Sequence, residues 1–216
     1  MADTLLQTKL QAVESADSAQ SMLDAVEALA ELKDEGAIDM LIRVLGYNNP
    51  GAAVAAVDGL VQIGTPAASA LLSQIDGYNY GARAWALRVL SGIGDPRGLD
   101  LILETAAEDF SLSVRRAAAR GLGSIQWEKL EKADRREGQI KARNTLLQVA
   151  IDDPEWVVRY AATVGLQGVA TAAAAEDQPD LLPPIADCLR QIASVDETVA
   201  VRARAEWAIA QLQLSV

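Results

Sequence analysis

Asp109-Phe-Ser-Leu-Ser-Val-Arg115-Arg-Ala-Ala-Ala-Arg-Gly-Leu122-Gly-Ser-Ile125 and Asp153-Pro-Glu-Trp-Val-Val-Arg159-Tyr-Ala-Ala-Thr-Val-Gly-Leu166-Gln-Gly-Val169 are two copies of one pattern. The second half of that pattern returns as Ala28-Leu29-Ala30-Glu31-Leu32, Gly59-Leu60-Val61-Gln62-Ile63, Val89-Leu90-Ser91-Gly92-Ile93 and Ala208-Ile209-Ala210-Gln211-Leu212. From one shared Leu (Ile209 in the last copy) to the next, the steps are 31, 30, 32, 44 and 43 residues. Self-similarity at such a period is the signature of a solenoid, in which each unit buries its apolar face only by stacking on its neighbours.

Within each copy the spacing is helical. Small residues stand four positions before the shared Leu (Ala25, Ala56, Ala86, Ala118, Ala162, Ala205), and apolar ones three positions after it (Leu32, Ile63, Ile93, Ile125, Val169, Leu212). These positions form one stripe along a helix. Gly or Pro then breaks the helix, as at Gly64-Thr65-Pro66 and Gly94-Asp95-Pro96, and a second apolar segment follows. Each unit therefore reads as a helical hairpin, and the chain as an all-α array of about six hairpins, or about twelve helices. Arg83, Arg115, Arg159 and Arg202 stand seven positions before the shared Leu, and Asp109, Asp153 and Asp196 six positions before the last three of them. An Asp in the turn to satisfy backbone amides, and an Arg to bridge to the next unit, mark a HEAT-type repeat. This Asp–Arg ladder is read as structural. The charge-dense segment from Glu128 to Gly138 reads as a solvated helix extension or loop, and 172–184 as a second long connection. Hydrophobic periodicity resumes beyond both, so residues 1–216 read as one repeat domain.

Composition agrees and excludes much. Half of the 216 residues are hydrophobic, 40 are Ala, and only 4% are aromatic, a mixture suited to close-packed helices. There is no His, so no His-based triad, His-ligated metal or imidazole proton shuttle. No metal cluster, paired carboxylates or phosphate-cradling Gly loop stands out, and no prosthetic group is expected. The one Cys, Cys188, lies among apolar neighbours and reads as core. With no internal disulfide possible, no basic-then-apolar leader and no stretch fit to span a bilayer, the expectation is a cytoplasmic protein without membrane insertion. A net charge of −11 argues against nucleic acid as a partner. That charge is uneven: residues 1–80 carry −8, 81–143 carry +3, and 144–216 carry −6. The middle repeats thus present guanidiniums suited to an anionic ligand or partner.

On the second helix of each hairpin, the positions five and two before the shared Leu share a face outside the core stripe. The pairs are Asp24/Glu27, Ala55/Asp58, Trp85/Arg88, Ala117/Arg120, Ala161/Val164 and Arg204/Trp207. In HEAT arrays this face lines the concave side, so Asp58, Trp85, Arg88 and Arg120, with Arg116 one turn away, are expected to form one patch. A carboxylate, an indole and several guanidiniums suit a flat, conjugated dicarboxylate ligand; a partner-protein contact or a solvated face is the alternative. Gly46-Tyr47-Asn48 recurs as Gly77-Tyr78-Asn79, with Tyr80 following. Gly and Asn suit left-handed turn positions, and the tyrosines suit either packing or the rim of a groove. Trp127 and Trp156 are expected at repeat junctions.

Leu45-Gly-Tyr-Asn-Asn-Pro-Gly-Ala-Ala-Val-Ala-Ala-Val-Asp-Gly-Leu60, Asp76-Gly-Tyr-Asn-Tyr-Gly-Ala-Arg-Ala-Trp-Ala-Leu-Arg88 and Asp153-Pro-Glu-Trp-Val-Val-Arg-Tyr160 closely resemble the E/F-type phycobilin lyases, and within them the F (beta) subunits that act on the phycocyanin α-subunit. The resemblance is specific over roughly residues 40 to 170. It implies a HEAT-like subunit that pairs with an E (alpha) subunit in the cytoplasm of a phycobilisome-containing cell. Its substrate would be phycocyanobilin, joined to a target cysteine through a thioether. An isomerising relative of the F subunit uses an adjacent His-Cys pair. With no His here, simple addition is the implied reaction. On this reading Arg88, Arg116 and Arg120 hold propionates, Trp85 stacks on the pigment, Tyr47, Tyr78, Asn79 and Tyr80 line its rim, and Asp58 accepts from pyrrole N–H groups or serves as general acid. The attacking thiol belongs to the target, so this chain's contribution is positioning. A non-catalytic HEAT adaptor in phycobilisome assembly or turnover, and a bilin-detaching relative, are the competing readings.

Overall fold

A computed structural model describes residues 2–74 and 80–213, with the side chains of residues 2, 3 and 80 left aside. The described residues form twelve α-helices and no strand. They group into two compact units, residues 1–93 and 94–216.

The first unit holds α1 (Ala2–Glu14), α2 (Ala19–Ala30), α3 (Ile38–Val44), α4 (Pro50–Ile63), α5 (Thr65–Gln74) and α6 (Tyr80–Ile93). α1 pairs with α2, α3 with α4 and α5 with α6, while α2, α4 and α6 pack in succession as a layer of second helices. The second unit repeats the plan with α7 (Leu99–Glu108), α8 (Leu112–Leu122), α9 (Lys132–Asp152), α10 (Trp156–Ala175), α11 (Leu182–Val195) and α12 (Val199–Gln211). Its hairpins are α7–α8, α9–α10 and α11–α12, with α8, α10 and α12 as the second-helix layer and α7, α9 and α11 as the first-helix layer. These are the hairpins that the periodicity predicts.

The reason lies in the stripe. Leu60, Leu90, Leu122 and Leu166 are all buried, as are Ala56, Ala86, Ala118 and Ala162 one turn before them; Leu29 and Ala205 are buried too, while Ala25 and Ile209 are half-buried. Burying a leucine side chain contributes about 1.5–3 kcal/mol, and alanine one turn before it lets the neighbouring helix approach. Between α8 and α10 the approach is closest. A methyl group on Gly165 would collide with the Ala119 carbonyl oxygen and stand 2.9 Å from Leu146, and one on Gly123 would lie 2.7 Å from the Gly165 Cα. The two backbones touch there.

Short 3₁₀ turns, Glu35–Ala37, Pro96–Gly98, Trp127–Lys129 and Pro179–Leu181, lead into α3, α7, α9 and α11. Asp34 and Asp95 cap the first two through the amides of Gly36 (2.8 Å) and Arg97 (3.0 Å). Gly94, just before Asp95, has φ 66°, and a side chain there would run into the Ser124 carbonyl. Gly46 and Asn48, by contrast, do not take the left-handed conformation expected of them. The chain simply winds on, Gly46 N–H donating to Arg43 O at 3.1 Å and Tyr47 N–H to Val44 O at 3.0 Å.

Most of the segment 128–138 is exposed and it runs into α9 as a helix extension, as expected. α9 begins at Lys132, and its first turns are clasped to the end of α10. Arg135 pairs with Glu176 at 3.0 Å, Arg136 with Asp180 at 2.6 Å, and the buried Gln139 bonds Glu176 and Gln178. The two long repeat steps, 44 and 43 residues, are thus spent on longer helices that grip one another.

Candidate functional site

The Asp–Arg ladder closes between successive hairpins of the second unit. Arg115 donates through Nε and Nη2 to the two Asp153 oxygens (2.7 and 3.1 Å) and through Nη1 to the Asp109 carbonyl (2.9 Å). Arg159 repeats this on Asp196 (2.8 and 3.2 Å) and on the Asp153 carbonyl (3.0 Å). Arg202 reaches the Asp196 carbonyl at 2.6 Å. Each Asp also receives the amide two residues on: Ser111, Glu155 and Thr198. The carboxylate, a carbonyl and an amide of the turn are thereby answered, and the guanidinium staples one turn to the next. Burial works to raise the Asp196 carboxyl, but Arg159 and the Thr198 amide outweigh it and hold it below the usual carboxylate range. Arg83, in the first turn of α6, is half-buried; the segment before it lies outside the described residues.

The second-helix face carries the remaining candidates. In the first unit, Arg88 lies over the Trp85 indole, 4.3 Å from guanidinium carbon to ring centroid, with Trp85 half-buried and Arg88 exposed. A spacing of three residues on a helix puts the pair together in a cation–π contact. Asp58 is exposed on α4 and lines a groove of ≈ 460 Å³ with Glu27, Glu31, Lys33, Ala55 and Gln62. Glu27 and Asp58, each two positions before the shared Leu of its hairpin, line the same groove. Glu27, Glu31, Lys33 and Gln62 belong to this groove, although helix spacing alone marks only Glu27, Ala55 and Asp58 for this face.

In the second unit Arg116 and Arg120 share the exposed face of α8, one turn apart. Tyr47 is 40% exposed in the turn between α3 and α4, at the hairpin edge. Tyr78 and Asn79 lie outside the described residues, and Tyr80 opens α6. Trp127 is buried against Gly138, as a junction residue should be, whereas Trp156, the first residue of α10, is 45% exposed. Cys188 is buried, and burial pushes its thiol up to about 11, which makes it a poor nucleophile. No group of metal-ligating side chains exists among the described residues, and no described helix is long and apolar enough to cross a membrane.

Stacked hairpins stapled by an Asp–Arg ladder define an α-solenoid of the HEAT class, and a HEAT-repeat family model matches residues 69–167. The chain is 52% identical over 205 residues to a phycobilisome maturation protein of Synechococcus elongatus, covering 95% of this chain and 97% of that one. It is 50% identical over 200 residues to the phycocyanin alpha phycocyanobilin lyase CpcF of Synechocystis, covering 93% and 91%. Among solved structures it matches one in the complex of CpcE and CpcF of phycocyanin lyase from Nostoc, with 50% identity and a TM-score of 0.73 over 81% of this chain and 99% of that one. The chain belongs to the family of phycocyanobilin lyase beta subunits.

Proposed function

We propose that this chain is the F-type subunit of a two-subunit phycocyanobilin lyase, working with an E-type partner on the α-subunit of phycocyanin in the cytoplasm of a phycobilisome-bearing cell. The observation that carries this reading is the 50% identity to CpcF across nine-tenths of both chains. In the reaction, a cysteine thiol of the target adds across the ethylidene double bond of phycocyanobilin. The sulfur–carbon bond forms, the thiol proton ends on the neighbouring ring carbon, and nothing leaves. No oxidant is needed, and no nucleophile from this chain. Cys188, buried with its thiol pushed up to about 11, fits that division of labour.

The chain's task is then to fix the pigment's orientation, so that one face and one target cysteine meet. Trp85 with Arg88 supplies a flat wall and a propionate partner, and Arg116 and Arg120 supply further guanidiniums. Asp58, in its open groove, accepts from pyrrole N–H groups or lends the proton. Tyr47, Tyr78, Asn79 and Tyr80 would flank the pigment. With no His in the chain, addition proceeds without double-bond isomerisation.

The test is co-expression of this chain, its E-type partner, phycocyanobilin synthesis and the target subunit, with covalent colour read after denaturing electrophoresis. Combined Trp85→Leu and Arg88→Ala substitution should lower the attachment rate about tenfold or more, because a stacking surface and a charged partner go together. Equal colour without this chain would sink the reading. An unchanged rate in the double variant would remove Trp85 and Arg88 from it.

A further inference from the structure

Three arginines of the second unit are largely withdrawn from water, and two of them have a carboxylate. Arg115 is paired with Asp153 and Arg159 with Asp196. Arg204, on α12, is 8% exposed and meets no carboxylate among the described residues. Its Nη2 donates to Gln167 Oε1 at 2.6 Å, and its carbon lies 4.6 Å from the Trp207 ring centroid. Its Nη1 is buried with no hydrogen-bond partner.

That is an unusual state for a group that stays charged at every ordinary pH. A buried ion without a counter-ion loses hydration that one neutral amide and one indole do not replace. Burial works to lower its basicity, with only Tyr160 acting the other way. The cover over it is aromatic and faces water: Trp207 is 51% exposed and Tyr160 37%. Arg204 and Trp207 also occupy the helix positions that hold Trp85 and Arg88 in α6, with the two residue types exchanged.

We propose that Arg204 is a carboxylate-binding site covered by Trp207. When a carboxylate reaches this face of α12, the indole turns aside, Nη1 donates to a carboxylate oxygen, and Gln167 keeps Nη2 in place. The displaced indole, with Tyr160, then forms an apolar wall against whatever carries the carboxylate. That carrier is either a bilin propionate or an acidic side chain of a bound protein, and the ligand chemistry is the same.

Arg204→Met keeps the length and packing of the side chain and removes its charge. Wild type and variant are titrated with phycocyanobilin, with its dimethyl ester and with the purified E-type partner, and their melting temperatures are compared. The variant should lose about tenfold or more in affinity for one probe, since hydrogen bonds to a charged group carry that much. Loss toward the free acid but not the ester makes a propionate the ligand; loss toward the partner alone makes it a protein carboxylate. The variant should melt at or above wild type, because an unpaired buried charge is gone. The melting comparison needs no ligand, so it reads Arg204 independently of the function proposed above. Affinities unchanged for every probe that wild type binds, or melting several degrees lower, would overturn the site.

Discussion

Removing one carboxylate from the ladder tests whether it holds the array together. Asp196→Ala takes from Arg159 its two-pronged partner at 2.8 and 3.2 Å, and from the Thr198 amide its acceptor at 2.8 Å. Both members of the pair are under a tenth exposed, so the guanidinium left behind is a buried charge. Removing one partner of a buried pair costs about 3–5 kcal/mol. Arg159 keeps the Asp153 carbonyl at 3.0 Å and the exposed Glu197 at 3.2 Å, which sets the expectation near the lower end, about 3 kcal/mol. Urea unfolding followed by circular dichroism measures it. Replacing both partners with apolar residues, Arg159→Met with Asp196→Leu, should cost well under the sum of the two single changes, because no stranded charge remains. Acid supplies an independent reading. The Asp196 carboxyl sits below its ordinary 3.8 in the folded chain, so its share of stability is present above about pH 4 and fades as pH falls below that value. Asp196→Asn should flatten that part of the acid profile. A loss under about 0.5 kcal/mol for Asp196→Ala, or full additivity in the pair, would refute the ladder as a source of stability.

Gly165→Ala gains about 1 kcal/mol of helix propensity but drives a methyl group into the Ala119 carbonyl and Leu146, so a net loss of about 1–2 kcal/mol is expected in the same urea assay. Cys188 should resist iodoacetamide at neutral pH in the folded chain and label fully in denaturant, read by intact mass; rapid labelling of the native chain would contradict its burial.

The hairpins were legible because their causes are local. Leucine with alanine one turn before it, and the Asp-to-Arg spacing, appear in the sequence in the order in which they pack. The clasp on α9 was not legible. Arg135, Arg136 and Gln139 look like a solvated run, and the groups that answer them, Glu176, Gln178 and Asp180, stand about forty residues away. The turn at Gly46 misled for a different reason: Gly and Asn permit a left-handed backbone without requiring it. The pairing of Trp85 with Arg88 followed from helix geometry. The burial of Arg204 did not, because its position reads the same as that of the exposed Asp24 on α2. In α4, α8 and α10 the same position is also buried, as Ala55, Ala117 and Ala161, and Asp24 is the exposed exception.

The contact at Gly123, Gly165 and Gly168 has a mechanical consequence. Where main chains meet directly there is no intervening layer of side chains to shear, so α8 and α10 behave as a weld. At the α10–α12 junction the contact includes longer side chains, Gln167 and Arg204, which can repack where a backbone contact cannot.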